Sequence, residues 1–223
     1  MKLDHQRPRS TRPSASATPR ERKLIDAAEK LFLKKGYHAT TMDEVASAAG
    51  VSKKTVYLAF PSKEALFQAL VHARRAPIFA PIVTEGPAEQ ILVETLRKSV
   101  QFILSPKEIA MCRLVAAEGA STPALARLFH DEGSKQGQLA LEQCLADLAR
   151  RGEITIDDAH EAALMLLGMA MTVMHIGLML GIRRSPTKRE IEQRVREAVH
   201  VFLRGTARTA PQRPPARAAR AAR

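Results

Sequence analysis

The sequence predicts an all-α protein, in which an N-terminal three-helix domain built around a helix-turn-helix precedes a larger helical domain. Apolar residues recur at intervals of three and four, the spacing that places them on one face of a helix. Three Thr-x-x-Glu sequences, beginning at Thr18, Thr41 and Thr187, have the pattern of N-terminal capping boxes. No stretch shows the alternating pattern of a strand. The helical periodicity and the capping boxes together therefore predict the all-α class.

Composition and charge narrow the class of partner. With 45% hydrophobic residues the chain can bury a core, which argues against a disordered protein. The formal net charge of +12 is uneven: +3 for residues 1–18, +3 for 19–72, +1 for 73–204 and +5 for 205–223. The basic character therefore belongs to the two ends and to the first folded segment, which favours nucleic acid bound by one end of the molecule.

Both ends of the sequence are expected to be disordered. Residues 1–18 and 205–223 are rich in Pro, Arg and small residues and offer almost nothing to bury. Two interpretations stay open for them: solvated flexible ends, or arms that attract phosphate groups.

Other functional classes are disfavoured. Cys112 and Cys144 lie far apart, the seven histidines show no ligand spacing, and no phosphate-binding glycine loop or nucleophile motif occurs. We therefore expect no enzyme activity, no metal and no cofactor. The N-terminus lacks the pattern of a secretory signal, so a cytoplasmic protein is expected.

The first helix is predicted to begin at Thr18-Pro19 and to end near Lys35. Thr18 can cap it, Pro19 suits the first helical position, and Gly36 can adopt a left-handed cap after the last turn. Leu24, Ala28 and nearby apolar residues then form its inner face.

The next helices follow closely. Thr41 opens a short helix that closes at Gly50, Ser52 caps a third helix through Tyr57, and Ser62 caps a fourth. Two short helices joined through a glycine have the pattern of a helix-turn-helix. Val45, Ala49 and other small apolar residues would fill the core that these two helices share.

The stretch from Arg20 to about Val71 resembles the DNA-binding domain of the tetracycline-repressor (TetR) family of transcriptional regulators. It covers about a quarter of the chain. Its markers here are Phe32, Gly36, Tyr37, Thr40, Thr41, Val45, Ala46, Ala49, Gly50, Val51, Ser52, Tyr57, Phe60, Lys63, Glu64 and Leu66. One departure is Ala59, at a position that is often aromatic or histidine in relatives.

DNA contacts are expected from the third helix, which the motif would place in the major groove. Lys53, Lys54 and Thr55 are the candidates for reading base edges, and Ser52 begins the same helix. Phosphates would be held by Thr40, Thr41, Tyr57 and Lys63. Helix capping alone would also explain why Thr41 and Ser52 occupy their positions. For Lys53 and Lys54, the alternative to DNA contact is an ordinary solvated helix face.

Residues 19–72 are expected to form a DNA-binding domain, and residues 73–204, which follow it in the sequence, an effector-binding and dimerisation domain. Helices are predicted at about 88–104, 107–119, 123–151 with a possible break near Gly133, 158–183 and 188–207. The resemblance implies that the last two helices form the four-helix bundle of a dimer and that the middle helices enclose an effector. Phe102, Met111 and Cys112 lie on those middle helices and are candidates for binding the effector; the alternative is that they are ordinary core or surface residues.

The stretch 162–182 carries no Asp, Glu, Lys or Arg. It is long enough to span a membrane, but it contains the polar residues Thr172 and His175. A membrane span would also attach a DNA-binding protein to the lipid bilayer. We therefore favour a helix that is buried within the protein. Its small-residue side, with the stripe of the last helix, is predicted to form the dimer interface: Ala163, Ala170, Met174, Gly177, Gly181, Ile191, Val195, Val199 and Phe202. The opposite side is predicted to line a pocket for an apolar or amphipathic ligand: Met165, Met169, Thr172, His175 and Met179. A core histidine and gap-filling methionines are the alternative.

The sequence thus predicts a dimeric regulator, a repressor that binds an inverted-repeat operator in double-stranded DNA and is released by a small effector. The alternative is a ligand-independent architectural protein whose basic ends supply the DNA affinity.

Overall fold

The computed structural model describes residues 17–75 and 85–206, and within them it contains nine α-helices and no strand. This confirms the predicted all-α class. The helices are α1 (Pro19–Lys35), α2 (Met42–Ala49), α3 (Lys53–Ala59), α4 (Lys63–Arg75), α5 (Ala88–Ile103), α6 (Pro106–Glu118), α7 (Pro123–Arg150), α8 (Ala159–Met179) and α9 (Lys188–Thr206). Helix α7 is continuous through Gly133, where a break was predicted.

Side-chain caps determine where the N-terminal helices begin. Thr18 and Thr41 each accept a hydrogen bond from the backbone of the glutamate three residues on, whose carboxylate accepts one in return. Ser52 caps α3 through the Thr55 amide at 3.1 Å. These reciprocal bonds satisfy amides that the first helical turn leaves without partners, so the predicted starts are confirmed.

The described residues fall into two compact units. The first contains α1 to α4, α6, the first part of α7 and the end of α8. In it α1 packs against α2, α4 and α6, and α2 packs against α3. Phe32, Tyr37 and Phe67 form the centre of its core, with ring centroids 5.3 to 6.0 Å apart. Met111 and Val115 of α6 belong to the same buried cluster.

The second unit contains most of α5, the second part of α7, most of α8 and α9. Each of these helices buries an aliphatic stripe, which includes Leu96, Leu145, Leu166 and Val195. Polar contacts also connect these elements. The His160 Nδ1 atom of α8 lies 3.2 Å from the Glu142 carboxylate of α7. The amide of Thr155, in the loop between α7 and α8, donates to the Thr206 carbonyl at the end of α9 at 2.8 Å.

The predicted disordered ends fall almost wholly outside the described residues. Residues 1–16 and 207–223 are not described, so that prediction is untested there. Gly205 and Thr206, which were assigned to the C-terminal tail, instead belong to α9. The Thr206 hydroxyl donates to the Phe202 carbonyl at 2.9 Å, so the helix runs past the expected start of the tail and ends within one residue of the predicted helix 188–207.

Candidate nucleic-acid interface

The turn between α2 and α3 has the geometry of a helix-turn-helix. Gly50 has φ 64° and ψ 41°, in the left-handed region that glycine adopts without steric cost. The Val51 amide then donates to the Ala46 carbonyl at 3.0 Å, which closes the turn. Val45, Ala49 and Val56 are buried between the helices, so this core fixes the direction of α3.

One face of α3 is left open to solvent. Lys53, Lys54, Tyr57 and Leu58 are exposed on it, with 44% of Tyr57 and 77% of Leu58 accessible. Val56 on the opposite side is completely buried. A helix presented in this way fits the major groove of DNA and can bring two cations and two large side chains to base edges and phosphates.

The two lysines of this face differ in their surroundings. The Lys53 ammonium donates to Asp43 of α2 at 2.9 Å, and this hydrogen bond raises the pKa of Lys53. Lys54 has no hydrogen bond or ion pair with any residue that the structure describes. Because an ammonium that already has a carboxylate partner must give it up to reach a base, Lys54 is the better placed of the two.

The hydroxyls predicted at this site act within the chain. Ser52 and Thr55 share a hydrogen bond of 2.8 Å between their hydroxyls, in addition to the cap that Ser52 provides. Thr41 caps α2 and also contacts Glu44. Thr41 and Ser52 remain exposed, so the capping role that was weighed for them is present in the free protein.

The structure contradicts the predicted phosphate role of Thr40 and gives Lys63 hydrogen-bond partners within the chain. The side chain of Thr40 is fully buried, and its hydroxyl donates to the Gly36 carbonyl at 2.8 Å. The Lys63 ammonium donates to the carbonyls of Tyr37, Thr40 and His38, at 2.8, 3.0 and 3.3 Å. It also lies 4.6 Å from the centre of the Tyr37 ring. Lys63 therefore holds the turn between α1 and α2 together.

Glu118, at the end of α6, holds the same turn from the other side. Its carboxylate accepts the Tyr37 amide at 2.6 Å and the His38 amide at 2.9 Å. A Cβ atom at Gly36 would lie only 2.5 Å from the nearer oxygen, and Gly36 has φ 94°. The positive φ therefore favours glycine at this position, and a side chain there would displace the Glu118 carboxylate from its place beside the turn.

Further contacts tie α6 to the helix-turn-helix domain. The His38 ring hydrogen-bonds to Thr122, just beyond α6. The Arg74 guanidinium, largely buried, pairs with Glu29 of α1 and with Glu108 of α6, the latter at 3.1 Å. The sequence did not predict these contacts. No local sequence pattern indicates that Glu118 accepts a hydrogen bond from a turn 81 residues earlier in the chain.

The predicted ligand-binding residues do not share one environment. Phe102, Cys112, His175 and Met179 are half-buried in the first unit, and burial lowers the pKa of His175. Met169 is half-buried in the second unit. The ligand assignment is wrong for three others. Met165 and Thr172 are exposed on the outer face of α8, and Met111 packs in the core of the helix-turn-helix unit.

The predicted dimer stripe is corrected in the same way. Ala163, Ala170, Val195 and Val199 have no accessible surface in the single chain, and Met174, Ile191 and Phe202 are also buried. Gly177 is covered by Arg183, whose Cβ lies 3.1 Å from where a Cβ at 177 would stand. Of this set only Gly181 is exposed. These side chains pack within the chain because α8 is apolar on both sides, and periodicity does not tell which side faces the core.

Among the described residues α8 is the one helix long and apolar enough to cross a membrane, by length and composition only. One side of it is buried by the rest of the chain, as in a core helix of a globular protein. A single helix of this kind is weak evidence for a membrane span.

The basic, solvent-facing α3, held on a glycine turn and packed against α2, defines a DNA-binding protein of the helix-turn-helix class. A family model described as bacterial regulatory proteins of the tetR family matches residues 24–70. A second, described as the C-terminal domain of AefR-like transcriptional repressors, matches residues 90–205. Because this second match covers more than half of the chain, the protein belongs to the TetR family of transcriptional regulators. Proteins of this family are generally not enzymes.

Solved structures of relatives agree with this assignment. The flavonoid-responsive regulator FrrA is 33% identical, with a TM-score of 0.74 over 87% of this chain and 100% of FrrA. A TetR-family regulator from Mesorhizobium loti MAFF303099 is 27% identical, with a TM-score of 0.72 over 86% of this chain and 100% of that one. The HTH-type regulator YvkB of Bacillus subtilis is 43% identical over 53 residues, 24% of this chain. The chain spans 28% of the length of YvkB.

Proposed function

We propose that the protein is a homodimeric repressor that binds an inverted-repeat operator and is released from it by a small apolar or amphipathic effector. The observation that carries the proposal is the exposed face of α3, where Lys54 has no partner in the described part of the chain while Tyr57 and Leu58 stand in solvent. Residues 19–72 would read the DNA, and residues 73–204 would bind the effector and the second subunit. A regulator of this kind acts in the cytoplasm.

Dimerisation is supported by the outer face of α8. Met165, Val173 and Ile176 lie on one side of this helix, with 64%, 72% and 51% of their surfaces accessible. Exposed apolar rows of this size are characteristic of interaction surfaces. A second copy of the chain fits the surface, because a two-fold axis brings the same row of each subunit together.

Charge favours the same occupant. Residues 73–204 carry a net charge of only +1, so two copies can approach through this region without strong repulsion. A single recognition helix covers few base pairs, whereas a two-fold dimer reads two half-sites and roughly doubles the binding free energy.

The effector proposal rests on the half-buried residues of the first unit and on one relative. Phe102, Cys112, His175 and Met179 combine aromatic, sulfur and imidazole groups, which suit an amphipathic organic ligand. FrrA is a flavonoid-responsive regulator, so flavonoids are the first compounds to test. The Glu118 contacts would carry a displacement of α6 to the turn that precedes α2, and the Arg74 ion pairs would carry it to α1 and α4.

Selection from random duplexes with the full chain tests the proposal. The expected product is an inverted repeat that binds two subunits, as measured by gel shift and analytical ultracentrifugation. A flavonoid panel should then release the complex, and His175→Ala should reduce the response without changing the affinity for DNA. Recovery of no common sequence would contradict the operator proposal, while recovery of an operator that no tested compound releases would contradict the flavonoid proposal alone.

A further inference from the structure

Leu58 stands out on the DNA-facing side of α3. Its side chain is 77% accessible although the helix spans only Lys53–Ala59. At 100° per residue Leu58 lies 40° around the helix from Lys54 and one turn beyond it. An isolated exposed leucine is unremarkable on a protein surface, but this one projects from the surface that carries the two lysines and Tyr57.

The chemistry of the major groove limits what Leu58 can meet there. An aliphatic side chain neither donates nor accepts a hydrogen bond, and against a phosphate or a polar base edge it would displace water without replacing its hydrogen bonds. The apolar group that base pairs present in the major groove is the C5-methyl group of thymine. We therefore infer that Leu58 is a specificity-determining residue, which packs against the methyl group of a thymine in each operator half-site.

The position of that thymine follows from the helix geometry. Four residues separate Lys54 from Leu58, a rise of about 6 Å along the helix. Base pairs are stacked at about 3.4 Å and the helix follows the groove at an angle to the DNA axis, so the thymine lies within about two base steps of the base that Lys54 contacts. Leu58 and Lys54 would thus select different positions of the same half-site.

The inference rests on the proposed function, and its test starts from the selected operator. Each thymine of the half-site is replaced in turn by deoxyuridine, which removes the methyl group and leaves the hydrogen-bonding edge unchanged. With the full chain, the replacement at one position should weaken binding about fourfold per half-site, the effect of one buried methyl group. Leu58→Ala should abolish the difference between thymine and deoxyuridine at that position, and Leu58→Met, which keeps an apolar side chain of similar size, should retain it.

The outcomes separate the two proposals. A protein that binds no duplex selectively overturns the proposed function and this inference with it. Selective binding with no position sensitive to deoxyuridine overturns the inference alone. A sensitive position whose penalty is the same in Leu58→Ala also overturns it, because the methyl group would then be read by another residue.

Discussion

Glu118 offers a quantitative test of how the helix-turn-helix domain is held. The substitution Glu118→Ala removes the acceptor of two backbone amides, at 2.6 Å from Tyr37 and 2.9 Å from His38. A hydrogen bond to a charged group contributes about 1.5 to 3 kcal/mol. Glu118 is half-buried and the His38 contact is exposed, so solvent screening reduces the combined contribution of the two hydrogen bonds. We expect Glu118→Ala to lower the free energy of opening this turn by about 2 kcal/mol.

Hydrogen exchange measures this loss at the two amides themselves. About 2 kcal/mol corresponds to exchange roughly 30-fold faster at Tyr37 and His38, while amides in the middle of α9 should keep their rates. Glu118→Gln keeps one acceptor oxygen and should fall between the two proteins. Glu161→Ala, which removes an exposed carboxylate on α8, serves as the control and should leave both amides unchanged. Unaltered exchange in Glu118→Ala would refute the proposed tie between α6 and this turn.

Three further predictions concern Lys63, the outer face of α8 and the two ends of the chain. Lys63→Met removes the donor to three carbonyls and should lower the free energy of unfolding by about 2 kcal/mol in urea titrations, whereas a loss below about 0.5 kcal/mol would contradict its structural role. Val173→Asp should raise the dimer dissociation constant at least about a hundredfold in analytical ultracentrifugation, since a charge would be buried on both subunits. Leu58→Asp, an equally exposed site, should leave the dimer intact. Deleting residues 1–16 and 207–223 should weaken binding to all duplexes and reduce its salt dependence while operator preference survives; loss of that preference would favour the architectural alternative.

The helix starts could be predicted because the signals are local. Thr18 and Thr41 form the reciprocal bonds that their Thr-x-x-Glu patterns indicate, and Gly50 adopts the left-handed turn. Gly36 departs slightly from the expectation: its φ is positive, but its ψ of 161° lies outside the left-handed helical region. The chain there turns toward Glu118, a partner that no local pattern reveals.

The intramolecular contacts of the predicted site residues could not be predicted, and the physical cause is the same for each. Lys63 follows a helix cap and looks like a phosphate ligand, yet three carbonyls converge on it from a turn more than twenty residues earlier. The helix α8 has apolar residues all around, so its sequence could not show that Ala163 and Ala170 face the chain while Met165 and Val173 face solvent. The exposed face of α3 could be predicted because its pattern of one buried and several exposed positions is local.

The central claim is that the exposed lysines of α3 read the operator, and the measurement that tests it most directly is a ratio of two affinities. The affinity of the full chain for the selected inverted repeat is divided by its affinity for a scrambled duplex at the same salt concentration, for the wild type and for Lys53→Ala/Lys54→Ala. Each specific contact is worth about 1 to 3 kcal/mol, so we predict that the ratio falls at least about tenfold, with Lys98→Ala, an exposed lysine of α5, unchanged. A double variant that keeps the full ratio would contradict the assignment of α3 as the reading helix.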